Sequence, residues 1–413
     1  MTAIRFDPAH LSRVLPPGGR TLVAGASGES LLLAESVAMA GDALGAMTFT
    51  GIFVPGLNDR PYLANADCMV ETFFMTPALK AAGSAVTFLP LCYDDILTRL
   101  RTVPIDAALM MVSPPDADGR CSFGPCVDFL ADLWPHIPVR IAHINPLVPP
   151  TRGDTGIPLS QITAFVEAQQ PLLGASDGGS DAVTDAIAGH IAPFVPDGAT
   201  LQTGLGKMPG AALRALRGRR GLRIHSGLIG DAVADLETAG ALADGTAVTA
   251  GVAIGSERLY GAIGGPAYRF APVSVTHDAR VIGAIKDFIA INSALEVDLF
   301  GQAYAELGAK GLMSGPGGAS DFARGARIAG GLRIVALPAT AAGGSISRIV
   351  QPGAGTGPIS LARTDIDIVV TEYGAADLRG QSYAARAAAL IALAAPAHRD
   401  TLAIGWRRYS TQL

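Results

Sequence analysis

The sequence predicts an α/β protein with mainly parallel sheets, and two features of the 413-residue chain carry that prediction. Short apolar runs end repeatedly in turns rich in Gly or Pro. After several of these turns, apolar residues return at helical spacing. Strand, turn and helix repeated in this way build crossover units, and hence parallel sheets.

The elements follow in order. Residues 21–24 form the first apolar run, Gly25-Ala26-Ser27-Gly28 turns the chain, and 31–39 has helical periodicity. Residues 107–112 run into Ser113-Pro114-Pro115, and residues 139–144 into Asn145-Pro146. Residues 366–370 lead through Thr371-Glu372-Tyr373-Gly374 into the Ala/Leu-rich stretch 375–395, predicted as a helix. In such sheets ligands gather at the carboxyl ends of strands, and most of the motifs below fall at such an edge. Residues 169–181, QQPLLGASDGGSD, are polar, rich in Gly and Ser and without periodicity, so they read as a linker. They divide the chain into two α/β domains, 1–180 and 181–413.

Charged residues make up 16% of the chain, against the ~25% usual for soluble domains, and Ala and Gly account for much of the deficit. No apolar run reaches the ~18 residues that a membrane span needs. The first residues, MTAIRFDPAHLSR, lack the apolar centre of a signal peptide. A soluble, cytoplasmic protein with no membrane partner is expected. Net charge is −5, and the one basic run is RGRRGLR at 217–223. An isolated basic loop reads as solvated surface or as a contact for nucleotide phosphates, so no nucleic-acid partner is expected. Cys68, Cys92, Cys121 and Cys126 are too sparse for a disulfide framework, and Cys121 and Cys126 have no second pair or His beside them. Buried free thiols and no metal site are expected.

The most informative stretch is GLMSGPGGASDFARG at 311–325. Gly315, Gly317 and Gly318 precede a helical segment opened by Asp321. Without Cβ atoms, a glycine turn can aim several N–H groups into one small space, and the helix start behind it adds partial positive charge. That suits a negative oxygen, on a phosphate or on a carbonyl under attack. Residues 291–299 read as a strand. Ile291, Leu295, Val297 and Leu299 lie on one face, with Ser293 interrupting them, and Asn292, Glu296 and Asp298 share the other. Two carboxylates on one face suit acid–base work, or else solvent or an ion pair with Arg324 or Arg327.

The segment LQTGLGKMP at 201–209 nearly matches a dinucleotide fingerprint, but Pro209 stands at the third glycine position. A nicotinamide site, a ligand-free turn and a backbone cradle for another elongated ligand all remain open. None of the seven histidines has metal-ligand spacing. His225, in the predicted strand end 222–226, and His277, in Thr276-His277-Asp278, are each either a proton carrier or a hydrogen-bonded structural residue.

Taken together, these segments resemble the acetyl-CoA hydrolase/transferase family, which includes the 4-hydroxybutyrate CoA-transferases. The resemblance runs through VSPPDADGRCSFG at 112–124, INPLVPPTRGD at 144–154, LQTGLGKMP at 201–209 and IHSGLIGD at 224–231. It continues through INSALEVDLFGQ at 291–302, GPGGASDFARGA at 315–326, SISRIV at 345–350 and VVTEYGAADLRG at 369–380. It implies two CoA-transferase-type (NagB/RpiA-like) domains with CoA bound near their interface. It also implies acyl-CoA and a small carboxylate as partners, CoA as substrate or ligand with no permanently bound cofactor, and a homo-oligomer. By match, Gln202, Gly204 and Gly206 contact CoA, and Gly315, Gly317 and Gly318 face the thioester.

The family reaction runs through a glutamate that attacks the acyl-CoA and becomes a glutamyl-CoA thioester. The family pattern is roughly His-Ser-Glu-Met-Ile-Ser-Asp, and this chain reads His225-Ser226-Gly227-Leu228-Ile229-Gly230-Asp231. The aligned nucleophile position is therefore Gly227. Relatives also often read Thr-Ala-Lys, with the Lys a candidate CoA contact, where this chain has Thr340-Ala341-Ala342. Loss of a covalent nucleophile costs on the order of 10⁶ in turnover. Glu296, Asp231 and Glu237 are candidate replacements for the carboxylate, and His225 a candidate proton carrier. Gly227 is expected to open space for water or for a bulkier acyl group. Thioester hydrolysis or altered acyl/CoA transfer is the leading expectation. A non-catalytic CoA-binding protein or partner subunit, and a nicotinamide oxidoreductase using the 202–210 turn, are the alternatives.

Overall fold

The computed structural model describes residues 3–154, 156–308 and 311–411. They divide into two compact units: Met1–Ser176 with Val248–Thr276, and Asp177–Ala247 with His277–Leu413. The first break falls between Ser176 and Asp177. The return of 248–276 to the first unit was not visible in the sequence, since no linker composition marks it.

Eight parallel strands form the sheet of the first unit. Their order is Ile4–Arg5, Ala164–Glu167, Val139–Ile144, Ala107–Val112, Arg20–Val23, Thr48–Gly51, Met69–Thr72 and Val86–Phe88. Ala107–Val112 is buried at every position, which is why its sequence AALMMV does not alternate. The turn after Arg20–Val23 leads into the helix Leu31–Ala40, whose N-cap Ser30 accepts the Leu33 N–H at 3.1 Å. Val248–Ala253 and Tyr268–Phe270 pair in parallel within the same unit.

In the second unit Arg223–Ile229, Thr200–Gln202, Phe288–Ser293, Leu332–Ala336 and Ile368–Thr371 run parallel in that order. Gly374–Asp377 follows antiparallel to the last of them. This corrects the helix expected over 375–395. The chain reverses at Gly374, which has φ 137°, and residues 374–377 pair with the strand they leave. The pairing satisfies an otherwise open strand edge, which overrides the helix propensity of Ala375 and Ala376. The helix is confined to Tyr383–Leu393, with Ser382 accepting the Ala385 N–H at 3.2 Å.

The strand expected over 291–299 is also corrected. Phe288–Ser293 stops, and Glu296–Asp298 belongs to a separate small sheet with Ala303–Tyr304 and Ile349–Val350. The alternation of faces is broken between the two strands.

The linker stretch is fastened rather than loose. Asn145 Nδ2 donates to Gln170 O at 2.7 Å and Asn145 Oδ1 accepts the Gln170 N–H at 3.2 Å. Asp181 caps the helix Ala182–Ile191 in a reciprocal box with Thr184. All four cysteines are buried free thiols, and burial pushes Cys121 up to about 11. The basic loop is engaged within the chain. Arg217 pairs with Asp235 at 2.8 Å, Arg219 donates to Ala192 O, and Arg223 to Thr246 O. Among the described residues, no helix is long and apolar enough to cross a membrane.

Candidate active site

The strand Arg223–Ile229 carries His225, Ser226 and Gly227, all buried. Ser226 Oγ lies 2.8 Å from Thr203 O and 2.9 Å from Leu228 O, which ties this strand to the turn after Thr200–Gln202. Gly227 has a neighbour that the sequence did not reveal. A Cβ added there would overlap the Cε1 and Nε2 atoms of His277. On the other side, a Cβ added to Gly318 would lie 2.7 Å from His277 Cδ2 and Nε2 and 3.0 Å from Phe322 Cε2. The imidazole thus sits between the glycine of the 224–231 motif and the last glycine of the 315–318 loop.

The ring is held there by local structure. Asp278, the next residue, caps the helix Ala279–Gly283 by accepting the Arg280 N–H at 2.6 Å. That helix packs closely on Ala319–Ile328. A Cβ at Gly283 would lie 2.5 Å from Ile328 Cγ2, and one at Gly325 would lie 2.5 Å from Ile282 Cβ. The Phe322 ring is 4.9 Å from the imidazole, Phe288 stacks on Phe322, and His225 meets Phe288 edge-on at 6.3 Å. His277 is 3% exposed. Burial, aided by His225, pushes its pKa down to about 3, so the ring is neutral at ordinary pH. The expected open space at Gly227 is therefore corrected, because an uncharged imidazole fills it.

Gln202 ends its strand next to Asn292, and its Nε2 lies 3.5 Å from Asn292 Oδ1. It is 4% exposed, and its Oε1 is buried without a hydrogen-bond partner among the described residues. An unsatisfied amide oxygen at a strand end is a natural contact for a donor on a ligand. Gly204 beyond it is exposed. Gly206, with φ 112°, is the N-cap of the helix Lys207–Ala215. Pro209 is the third residue of that helix, where an N–H has no intrahelical partner to lose.

In the glycine loop, Gly315 is buried and Gly317 takes φ 62°. The helix behind it begins at Ala319, two residues before the expected start, with Asp321 in its first turn. Glu306, which the sequence did not single out, anchors the loop. Its backbone oxygen accepts the Met313 N–H at 2.7 Å, and its carboxylate accepts the Ser360 hydroxyl at 2.8 Å.

The other candidate carboxylates have different neighbours. Glu296 accepts the Thr356 N–H at 2.6 Å. Asp298 is fully buried and receives the N–H groups of Phe300, Gln302 and Gly353 and the Tyr304 hydroxyl, which makes it a structural hub. Arg324 lies 3.9 Å from Asp321 and Arg327 3.6 Å from Asp365, in place of the ion pairs expected with 296 or 298. Asp231 and Glu237 lie in the helix Asp231–Thr238. Asp177, in the stretch 169–181, serves the start of that helix. The signal for this was Gly230, at a position where the family pattern has Ser. Among the described residues no cluster of His, Cys, Asp or Glu could hold a metal ion.

Residues 255–404 match the family profile of the acetyl-CoA hydrolase/transferase C-terminal domain. A 4-hydroxybutyrate coenzyme A transferase of Clostridium kluyveri is 37% identical over 74% of this chain and 73% of its own. A succinyl-CoA:cyclohexane-1-carboxylate CoA transferase of Geobacter metallireducens is 34% identical over 78% of this chain and 76% of its own. Among solved structures, RipA from Yersinia pestis is similar with TM-score 0.90 and 26% identity, covering 98% of both chains. The 4-hydroxybutyrate CoA-transferase of Porphyromonas gingivalis is similar with TM-score 0.82 and 29% identity, again over 98% of both.

Proposed function

Because this chain belongs to the acetyl-CoA hydrolase/CoA-transferase family, we propose that it processes acyl-CoA thioesters by direct hydrolysis or by altered transfer, without a glutamyl-CoA intermediate. One observation supports the reading: Gly227, which takes the glutamate's place in the resemblance, is buried with an imidazole packed on it. In this reading Gln202, Gly204 and Gly206 contact the CoA arm. Gly315, Gly317 and Gly318 aim backbone N–H groups at the thioester oxygen, where charge develops during attack. Oxyanion stabilisation and binding alone can sustain ~10³–10⁴ over the reaction in water, so slow turnover is expected.

The test is purified protein incubated with a panel of acyl-CoAs, with and without carboxylate acceptors, following free CoA and acyl exchange. Slow CoA release that no acceptor accelerates is expected for the hydrolytic branch, and acceptor-dependent exchange for the transfer branch. No release and no exchange from any member would sink the proposal.

The burial of His277 favours a second reading, a CoA-binding protein without catalysis. Calorimetry with CoA and acyl-CoA separates the two. Binding without turnover supports the second, and absence of binding rejects both.

A further inference from the structure

We propose that His277 determines the reaction type of this site by occupying the volume that any side chain at position 227 would need. The proposal deepens the functional reading above and rests on its placement of the attacking group at 227.

A Cβ at Gly227 runs into the imidazole edge formed by Cε1 and Nε2. Toward Gly318 the ring already fills the space that a Cβ there would take, so little room is left on that side. It cannot swing with its backbone either. Asp278 fixes the start of the next helix, and that helix interlocks with Ala319–Ile328 through Gly283 and Gly325. Phe322 supports the ring at 4.9 Å. A close-packed interior absorbs an added methyl group only by forcing its neighbours off their preferred geometry.

Two consequences follow. Restoring a carboxylate at 227 requires the imidazole to leave first. With the imidazole in place, the group beside the glycine loop is a neutral ring nitrogen and not an anion. A carboxylate nucleophile at 227 is thereby excluded, while the glycine turn is kept.

The decisive experiment is a double-mutant cycle on the full chain in the absence of CoA: wild type, Gly227→Ala, His277→Ala and the double variant, compared by thermal midpoint. Gly227→Ala in the wild-type background should lower the midpoint by about 5 °C or more. In the His277→Ala background the same change should shift it by less than about 2 °C. Equal shifts in both backgrounds would overturn the proposal.

The second arm uses Gly227→Glu and Gly227→Glu/His277→Ala, each incubated with acetyl-CoA and read by intact-protein mass. In the double variant a glutamate oxygen attacks the thioester carbonyl and CoA thiolate leaves, giving a mixed anhydride. The thiolate then attacks the glutamyl carbonyl and expels acetate, which leaves CoA on the protein. A CoA-sized mass gain is expected on the double variant alone. An adduct on Gly227→Glu with unchanged stability, or no adduct on a folded, CoA-binding double variant, overturns the proposal. The stability cycle involves no thioester. A coupled cycle in a wild-type protein that releases no CoA therefore defeats the functional reading and leaves the steric one intact.

Discussion

Asp177 caps a helix it does not belong to: its Oδ2 accepts the Ala232 N–H at 2.9 Å, and its carboxylate lies against the α-carbon of Gly230. Gly230 is the N-cap of Asp231–Thr238 and has no side chain with which to cap it. The carboxylate from a distant segment does what a Ser at 230 would do locally. A Cβ at 230 would overlap Asp177 Oδ1, so the two arrangements exclude each other.

Asp177→Ala should therefore destabilise the protein by about 1–2 kcal/mol. Gly230→Ser should destabilise the wild type and recover part of the loss in the Asp177→Ala background. Denaturant titrations of the four proteins check this, and purely additive effects would contradict it.

Asp128 supplies a pH-dependent prediction. It is buried with φ 34°, and its Oδ1 has no hydrogen-bond partner among the described residues. Burial, and next the charge of Asp132, push it from 3.8 up to about 7. The folded state thus holds this proton more tightly than the unfolded state does. The contribution is fully present below pH 3.8 and is lost as pH rises through about 7. Asn tolerates the left-handed backbone and carries no charge. The midpoint advantage of Asp128→Asn over wild type should grow from pH 5 to pH 8, and a pH-independent difference would count against the assignment.

His277 acts in the opposite direction. Its folded pKa of about 3 lies below the ordinary 6.5, so its contribution is present above pH 6.5 and declines as pH falls toward 3. Wild type should lose more stability between pH 7 and pH 4.5 than His277→Asn does. Parallel midpoint curves would show that the imidazole is not held neutral.

Gln202 tests the ligand side of the site. Gln202→Leu keeps the bulk at the strand end and removes the unsatisfied oxygen. CoA affinity should fall about tenfold, as read by calorimetry. Unchanged affinity with an unchanged fold would remove Gln202 from the binding surface.

Much of the fold was legible because it depends on local signals. The runs 107–112 and 139–144 became strands with those bounds, since a short, mainly apolar run followed by Ser-Pro or Asn-Pro has few other options. The helix at 31–39 was legible from its period and appeared at Leu31–Ala40. The stretch 375–395 failed because edge-strand pairing is a tertiary demand that composition does not display. The stretch 291–299 failed because its apolar alternation spans a break between two sheets.

By itself, the sequence determined the α/β class, the family, the glycine turns and the absence of a side chain at 227. Those facts depend on residue identity and short spacing. Only the tertiary structure decided what stands in the place of that missing side chain. His277 lies fifty residues from Gly227 in the chain. It reaches the glycine because one helix cap and one tight helix pair bring its imidazole there. Packing between distant segments is set by shape in three dimensions, and a glycine in a motif looks the same whether its neighbour is water or a ring.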